Sequence, residues 1–148
     1  MAGYRNNFVT RLIAGRSELE IAAAVEHLGV ASVLEQVFSL IAAAFIPEAS
    51  AIDRAVVQFD VTAPDGIHSY QLKFEDQKCI VLKAKGEAAR LTISFTLAVF
   101  LRIVGGELDG MQEFVSGRVR LGGDVLLAQA MRSWFNRQPG AVSVGSFS

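Results

Sequence analysis

SFTLAVFLRIVGGELDGMQEFVSGRVRLGGDVLLAQAMRSWF, residues 94–135, sets three helical apolar patterns around one short alternating run. Thr96 is placed to cap a helix through Val104, on which Leu97, Phe100, Leu101 and Val104 form one apolar stripe. Gly105-Gly106 ends it, and Asp109 caps a shorter helix, Met111 to Ser116, that presents Met111, Phe114 and Val115. Gly117 then releases the chain into Arg118–Leu121, where Val119 and Leu121 alternate with Arg118 and Arg120 as a short strand. Gly122-Gly123 turns, Asp124 caps, and Leu126, Leu127, Ala130, Met131 and Trp134 line a last helix that fades near Asn136. No acid, base or metal cluster lies inside this stretch. It offers shape and apolar surface rather than chemistry.

The chain before it alternates with period two. Val57, Phe59 and Val61 are interleaved with Gln58, Asp60 and Thr62, the pattern of a half-buried strand. Pro64-Asp65-Gly66 is a turn, because Pro fixes φ and Gly accepts a positive one. His68, Tyr70, Leu72 and Phe74 then share a face, with Ser69, Gln71 and Lys73 on the other, and Glu75-Asp76-Gln77 makes a second tight connection. Ile80, Leu82 and Ala84 alternate with Val81, Lys83 and Lys85, with Cys79 partly exposed on the side opposite Ile80 and Leu82. Leu91, Ile93 and Phe95 close the series. Four strands in succession with short links predict an antiparallel meander with one wet face.

Helical spacing governs the N-terminal third. Residues 1–16 scatter Arg5, Arg11 and Arg16 among apolar positions and read as a loose or weakly helical arm. Ser17 caps a helix over Glu18–Leu28, with Glu18 and Glu20 favourably placed in its first turn and Gly29 at its end. Leu19, Ile21, Ala22, Val25 and Leu28 supply its apolar spacing. A second helix, about Ser32 to Phe45, carries Val33, Leu34, Val37, Phe38, Ile41 and Phe45 and stops at Pro47. Leu40 and Ala42–Ala44 widen its apolar arc, which suits packing on a sheet and leaves a membrane- or partner-facing role open. The Gly-, Ser- and Val-rich tail over 138–148 is expected to be flexible.

Totals narrow the function classes. A chain of 148 residues fits one domain with its own core. It is 51% hydrophobic and 20% charged, with a mean hydropathy of +0.36. Ten Phe against two Tyr leave most aromatic surface without a polar handle, to be covered by the core or by a ligand. Fourteen Lys and Arg against fifteen Asp and Glu argue against nucleic acid, which needs concentrated positive charge. The single cysteine excludes an internal disulfide and suits a reducing compartment. The first residues lack the apolar core of a signal peptide, and no apolar run reaches the roughly 18 residues of a membrane span, so the expected setting is cytoplasmic.

Reactive constellations are missing too. There is no nucleophile elbow, phosphate loop, zincin motif or EF-hand spacing, and the two histidines lack a metal-ligand partner. His68 reads as a core or pocket-edge histidine and Asp124 as a helix cap. Cys79 has no nearby base or cation to activate it. The sequence points away from an enzyme and calls for no cofactor or metal.

The run from Val30 to Phe135 resembles the sterol carrier protein-2 (SCP-2) sterol-transfer domain. VASVLEQVFSLIAAAF followed by VVQFDVT matches the family's helix leading into its first strand. The most specific part supplies Ser94 and Thr96 before a helix, Phe100, Gly106 and Leu108, Phe114 and Gly117, the basic alternation of Arg118 to Leu121, and Gly123-Asp124. The resemblance implies an α+β fold, a five-stranded, mostly antiparallel sheet covered on one face by helices around a hydrophobic tunnel. It divides the chain into an N-terminal helical extension over 1–29, the SCP-2-like domain over 30–137 and the tail over 138–148. It also implies a non-catalytic carrier of a sterol, fatty acyl chain or other apolar ligand. Phe59, Tyr70, Leu82, Phe100, Leu101, Val104, Met111, Phe114, Val115, Leu127, Met131 and Phe135 are the expected lining, with Tyr70 or His68 as an anchor for a lipid head group. The alternative is an accessory or dimerising module, for instance one presenting a lipid or quinone intermediate to an enzyme. A transient contact with a membrane surface and a homodimer are both compatible with the pattern.

Overall fold

The computed structural model describes residues 7–50, 52–83 and 88–135. Among these, helices α1 (Asn7–Ile13), α2 (Glu18–Leu28) and α3 (Val30–Ala43) precede strands β1 (Arg54–Ala63), β2 (Gly66–Glu75), β3 (Lys78–Lys83) and β4 (Leu91–Thr96). Helices α4 (Leu97–Val104) and α5 (Gly110–Val115), strand β5 (Arg120–Gly123) and helix α6 (Val125–Met131) complete the order. The local signals for helix starts hold. Ser17 and Glu20 form a reciprocal capping box, and the side chains of Thr96, Asp109 and Asp124 each accept a backbone N–H of the helix they open.

The strands lie in the order β3-β2-β1-β4-β5. This corrects the expected meander: β4 does not sit beside β3 but crosses to the far side of β1 and pairs with it in parallel, Val57 facing Leu91 and Val61 facing Phe95. Alternation of period two specifies which side chains face the core, but it is silent about the neighbouring strand. All other pairings are antiparallel.

A second correction concerns β3. Asp76 and Gln77, with φ of 55° and 61°, form a two-residue hairpin turn that pairs Glu75 with Lys78 and Phe74 with Cys79. Cys79, Val81 and Lys83 therefore share a face with Phe74, Leu72 and Tyr70, whereas Ile80 and Leu82 point away from the helices. Both frames of this strand are apolar, so hydrophobicity alone could not choose between them. Ala84, assigned to the same strand, lies outside the described residues.

One core joins the sheet to the helices. Val57, Phe59, Val61, Tyr70, Leu72, Phe74, Leu91 and Phe95 from the sheet meet Val33, Leu34, Val37 and Phe38 of α3 and Leu97, Phe100 and Leu101 of α4. From Asn7 onward the expected arm is the helix α1, which buries Val9, Leu12 and Ile13 in the same core. In α2 only Ile21 and Val25 are buried, while Leu19 is 83% exposed. An ion network fastens α2 to the elements after β4: Glu18 accepts from Arg118 at 2.7 Å and faces Arg102 at 3.6 Å, and Arg118 also meets Glu113 at 3.1 Å. Arg118 thus stands just before β5, which begins two residues later than expected.

The other face of the sheet is polar but not bare. Gln71 is fully buried there and donates to Gln58 Oε1 at 3.1 Å, while Gln58 and Ser69 both donate to Asp60 Oδ1, at 3.0 and 2.7 Å. The chain links satisfy buried polar groups across β1 and β2. No single helix among the described residues is long and apolar enough to cross a membrane. The tail over 138–148 lies outside them.

Candidate functional site

Aromatic rings gather in the layer between the sheet and helices α3 and α4. Phe38, at the centre of α3, stacks on Tyr70 with centroids 4.7 Å apart and on Phe100 with centroids 5.1 Å apart, and meets Phe59 edge-on at 5.3 Å. Phe95 extends the group, 5.1 Å from Phe100 and 6.3 Å from Phe59. The β1–β2 register puts Phe59 opposite Tyr70, and the parallel pair puts Phe95 opposite Val61, so three strands and two helices converge on one cluster. A second cluster, Phe45, Phe74, Trp134 and Phe135, closes the layer toward the β2–β3 turn, with ring centroids between 5.1 and 6.3 Å apart.

Most of the expected lining residues belong to the hydrophobic core or pack against it. Phe59, Tyr70, Phe100, Leu101, Leu127 and Met131 are buried, and Val104, Phe114 and Phe135 pack partly buried against them. Met111 is half-buried on α5. Two expectations fail. Leu82 pairs with Gln71 on the face away from the helices, and Val115, at the end of α5, is 84% exposed. Phe38 was legible as an apolar position of its helix but not as the hub of the cluster. Its signal was to be the one aromatic in the middle of the α3 stripe.

Rings occupy the layer in which the resemblance implies a tunnel. Two clefts of about 460 and 540 Å³ are present, one between the α3–β1 connection and the β2–β3 turn, bordered by Phe45 and Phe74 of the second cluster, the other between α1 and α2. Two charged groups stand close to Tyr70 at the β3 edge. Lys83 is ion-paired with Glu35 of α3, and the hydrogen bond to Glu35 raises its pKa. Tyr70 is raised above its ordinary value first by burial and then by the negative charge of Glu35. His68 stands apart, its Nε2 2.8 Å from Asp65 Oδ1 in the β1–β2 turn. Burial pushes the Cys79 thiol up to about 12, so it stays protonated and weakly nucleophilic. No group of three or more His, Cys, Asp or Glu among the described residues is arranged to hold a metal ion.

Comparison with known proteins agrees with this fold. The fold is similar to sterol carrier protein 2 like 2 from Aedes aegypti, with a TM-score of 0.58 and 22% identity over 70% of this chain and 96% of that one. The solution structure of the palmitated form of that protein gives a TM-score of 0.59 at 21% identity, over 69% of this chain and 93% of that one. A similar fold occurs inside a much longer chain, the stereoselective inverting sec-alkylsulfatase Pisa1 from Pseudomonas sp., at TM-score 0.53 and 18% identity, covering 75% of this chain and 16% of the enzyme. A search of curated proteins by sequence finds no match. Residues 43–136 match the SCP-2 sterol transfer family, and the chain belongs to that family.

Proposed function

We propose that the protein is a non-catalytic lipid carrier that takes an apolar ligand between the sheet and helices α3 and α4, in contact with the rings of Phe38, Phe59, Tyr70, Phe95 and Phe100. The observation that carries this reading is the composition of that layer: five stacked or tilted rings, among which only Tyr70 has a polar atom. An acyl chain or sterol entering there exchanges ring–ring for ring–ligand contacts and leaves no buried polar group unpaired. Leu101, Leu127 and Met131 supply the aliphatic side of the site, and the unbranched thioether adapts to ligands of differing outline. That a relative of the same fold has been solved in a palmitated form supports an acyl ligand. Native mass spectrometry of the gently purified chain, with extraction of bound lipid, is the test. One apolar ligand per chain is expected; an apo protein that takes up no fluorescent acyl or sterol probe overturns the reading.

The filled layer also favours a second reading, an accessory module whose pocket is vestigial. Leu19, Val115 and Leu126, exposed at 83%, 84% and 76% on α2, α5 and α6, are then candidate contact residues. Light scattering separates the two, since a module that works through self-association gives a dimer whose mass does not change on dilution.

A further inference from the structure

We propose that Lys83 receives the head group of an anionic amphiphile, and that Glu35 holds this position as an internal counter-ion while no ligand is bound. The proposal rests on the lipid-carrier reading above and goes beyond it by naming the charge of the ligand and the residues that select it.

Placement is the first argument. The β2–β3 register sets Lys83 opposite Tyr70, at the end of β3 and on the side that faces the helices. Glu35 lies on α3 one turn before Phe38, the hub of the ring cluster, and reaches Lys83 across the gap between helix and sheet edge. A cation, a carboxylate and a phenol therefore gather at the Tyr70 end of the buried ring column Tyr70–Phe38–Phe100. A charged group at the water and an apolar column behind it have the polarity of an amphiphile.

Exposure is the second. The side chains of Lys83 and Glu35 are 68% and 48% exposed, so the pair is solvated and weak, and exchanging one carboxylate for another costs little. The ammonium has three donors and can pass from Glu35 to a ligand without being left bare. An anionic head must still displace Glu35, which repels it. A neutral head gains little from Lys83 and is indifferent to Glu35. Glu35 thereby acts as a built-in competitor that admits only ligands whose apolar part binds well enough to win the exchange.

The experiment titrates the full chain and three variants with a pyrene-labelled hexadecanoate and with the matching alcohol. Lys83→Met is expected to weaken the carboxylate probe about tenfold, Glu35→Gln to tighten it about threefold to tenfold at low salt, and Lys83→Arg to keep it near the original affinity. The alcohol stays within about twofold throughout, since it has no charge to lose. Lys83→Met shifting both probes equally or neither, or Glu35→Gln weakening the carboxylate, overturns the assignment while leaving the carrier reading standing. A native chain that binds neither probe overturns both.

Discussion

Phe38 and Tyr70 lie ring on ring, centroids 4.7 Å apart and planes 22° from parallel, so a residue of α3 and one of β2 share the middle of the core. Phe38 is fully buried and also touches Phe59 and Phe100. Phe38→Ala removes all three ring contacts at once and is expected to cost about 3–5 kcal/mol in urea unfolding, with the m-value unchanged. A loss below about 1 kcal/mol would mean that the neighbouring rings collapse into the space. The same variant opens room beside Tyr70, so an acyl probe is expected to raise its Tm more than that of the native chain.

Close approach of two backbones makes the second prediction. Gly123 has φ of 95°, and a Cβ there would come 2.5 Å from the carbonyl oxygen of Arg90, the group that accepts the Asp124 N–H at 3.0 Å. Arg90 also reaches Asp124 through Nε at 3.0 Å, which ties the start of β4 to the cap of α6. Gly123→Ala combines backbone strain with a clash that no side chain can relieve, and a loss of at least about 1–3 kcal/mol is expected. Gly122→Ala is the control. It meets nothing within 4 Å, so its effect on Tm is small, and equal losses at the two positions would contradict the argument.

How much of this was legible depended on the kind of signal. Caps at Ser17, Thr96, Asp109 and Asp124 are local chemistry, and each is found where the residue type placed it. The inward set on β1 and β2 was equally plain, since Phe59, Val61, Tyr70 and Leu72 alternate with polar neighbours. On β3 the parity came from the turn, not from the side chains: counting Asp76-Gln77 as a two-residue loop puts Phe74 against Cys79 and turns Leu82 outward. The parallel pairing of β1 with β4 left no trace in either strand. The Lys83–Glu35 pair was hidden as well, because the two residues are joined only once α3 lies along the β3 edge.

The half-buried thiol has a consequence at high pH. Burial raises Cys79 from an ordinary value of 9.0 to about 12. The folded chain then keeps a proton that the unfolded chain releases. The contribution of this group to stability is complete below pH 9 and is lost as pH climbs toward about 12. The stability difference between the native chain and Cys79→Ala is therefore expected to be constant up to about pH 9 and to move against the native chain above it. Tyr70 is raised as well, chiefly by burial, and has the same sign above its ordinary 10.0, so Tyr70→Phe isolates its share. Iodoacetamide checks the assignment at pH 8, where the folded thiol is expected to react far more slowly than the urea-unfolded one. Equal rates would mean that the thiol is open to solvent.

Whether the first helices are an appendage or part of the domain can be settled by removing them. The family match begins at residue 43, so α1, α2 and all but the last residue of α3 lie outside it. Yet α1 presses directly on the matched region. A Cβ at Gly105, just past α4, would come 2.5 Å from Ile13 Cδ1 and 3.4 Å from Val9 Cγ1, a proximity that a glycine there permits. Val9, Leu12 and Ile13 are buried in the core that holds Phe100 and Leu101. At roughly 1.5–3 kcal/mol for each such side chain, their joint removal is comparable to the whole stability of a small domain. Deleting residues 1–16 is therefore expected to abolish the cooperative thermal transition or to lower Tm by more than about 10 °C. A truncated chain that unfolds at the native Tm would show that the domain begins after α1. Ile13→Ala gives the graded version, with a loss of about 2–5 kcal/mol.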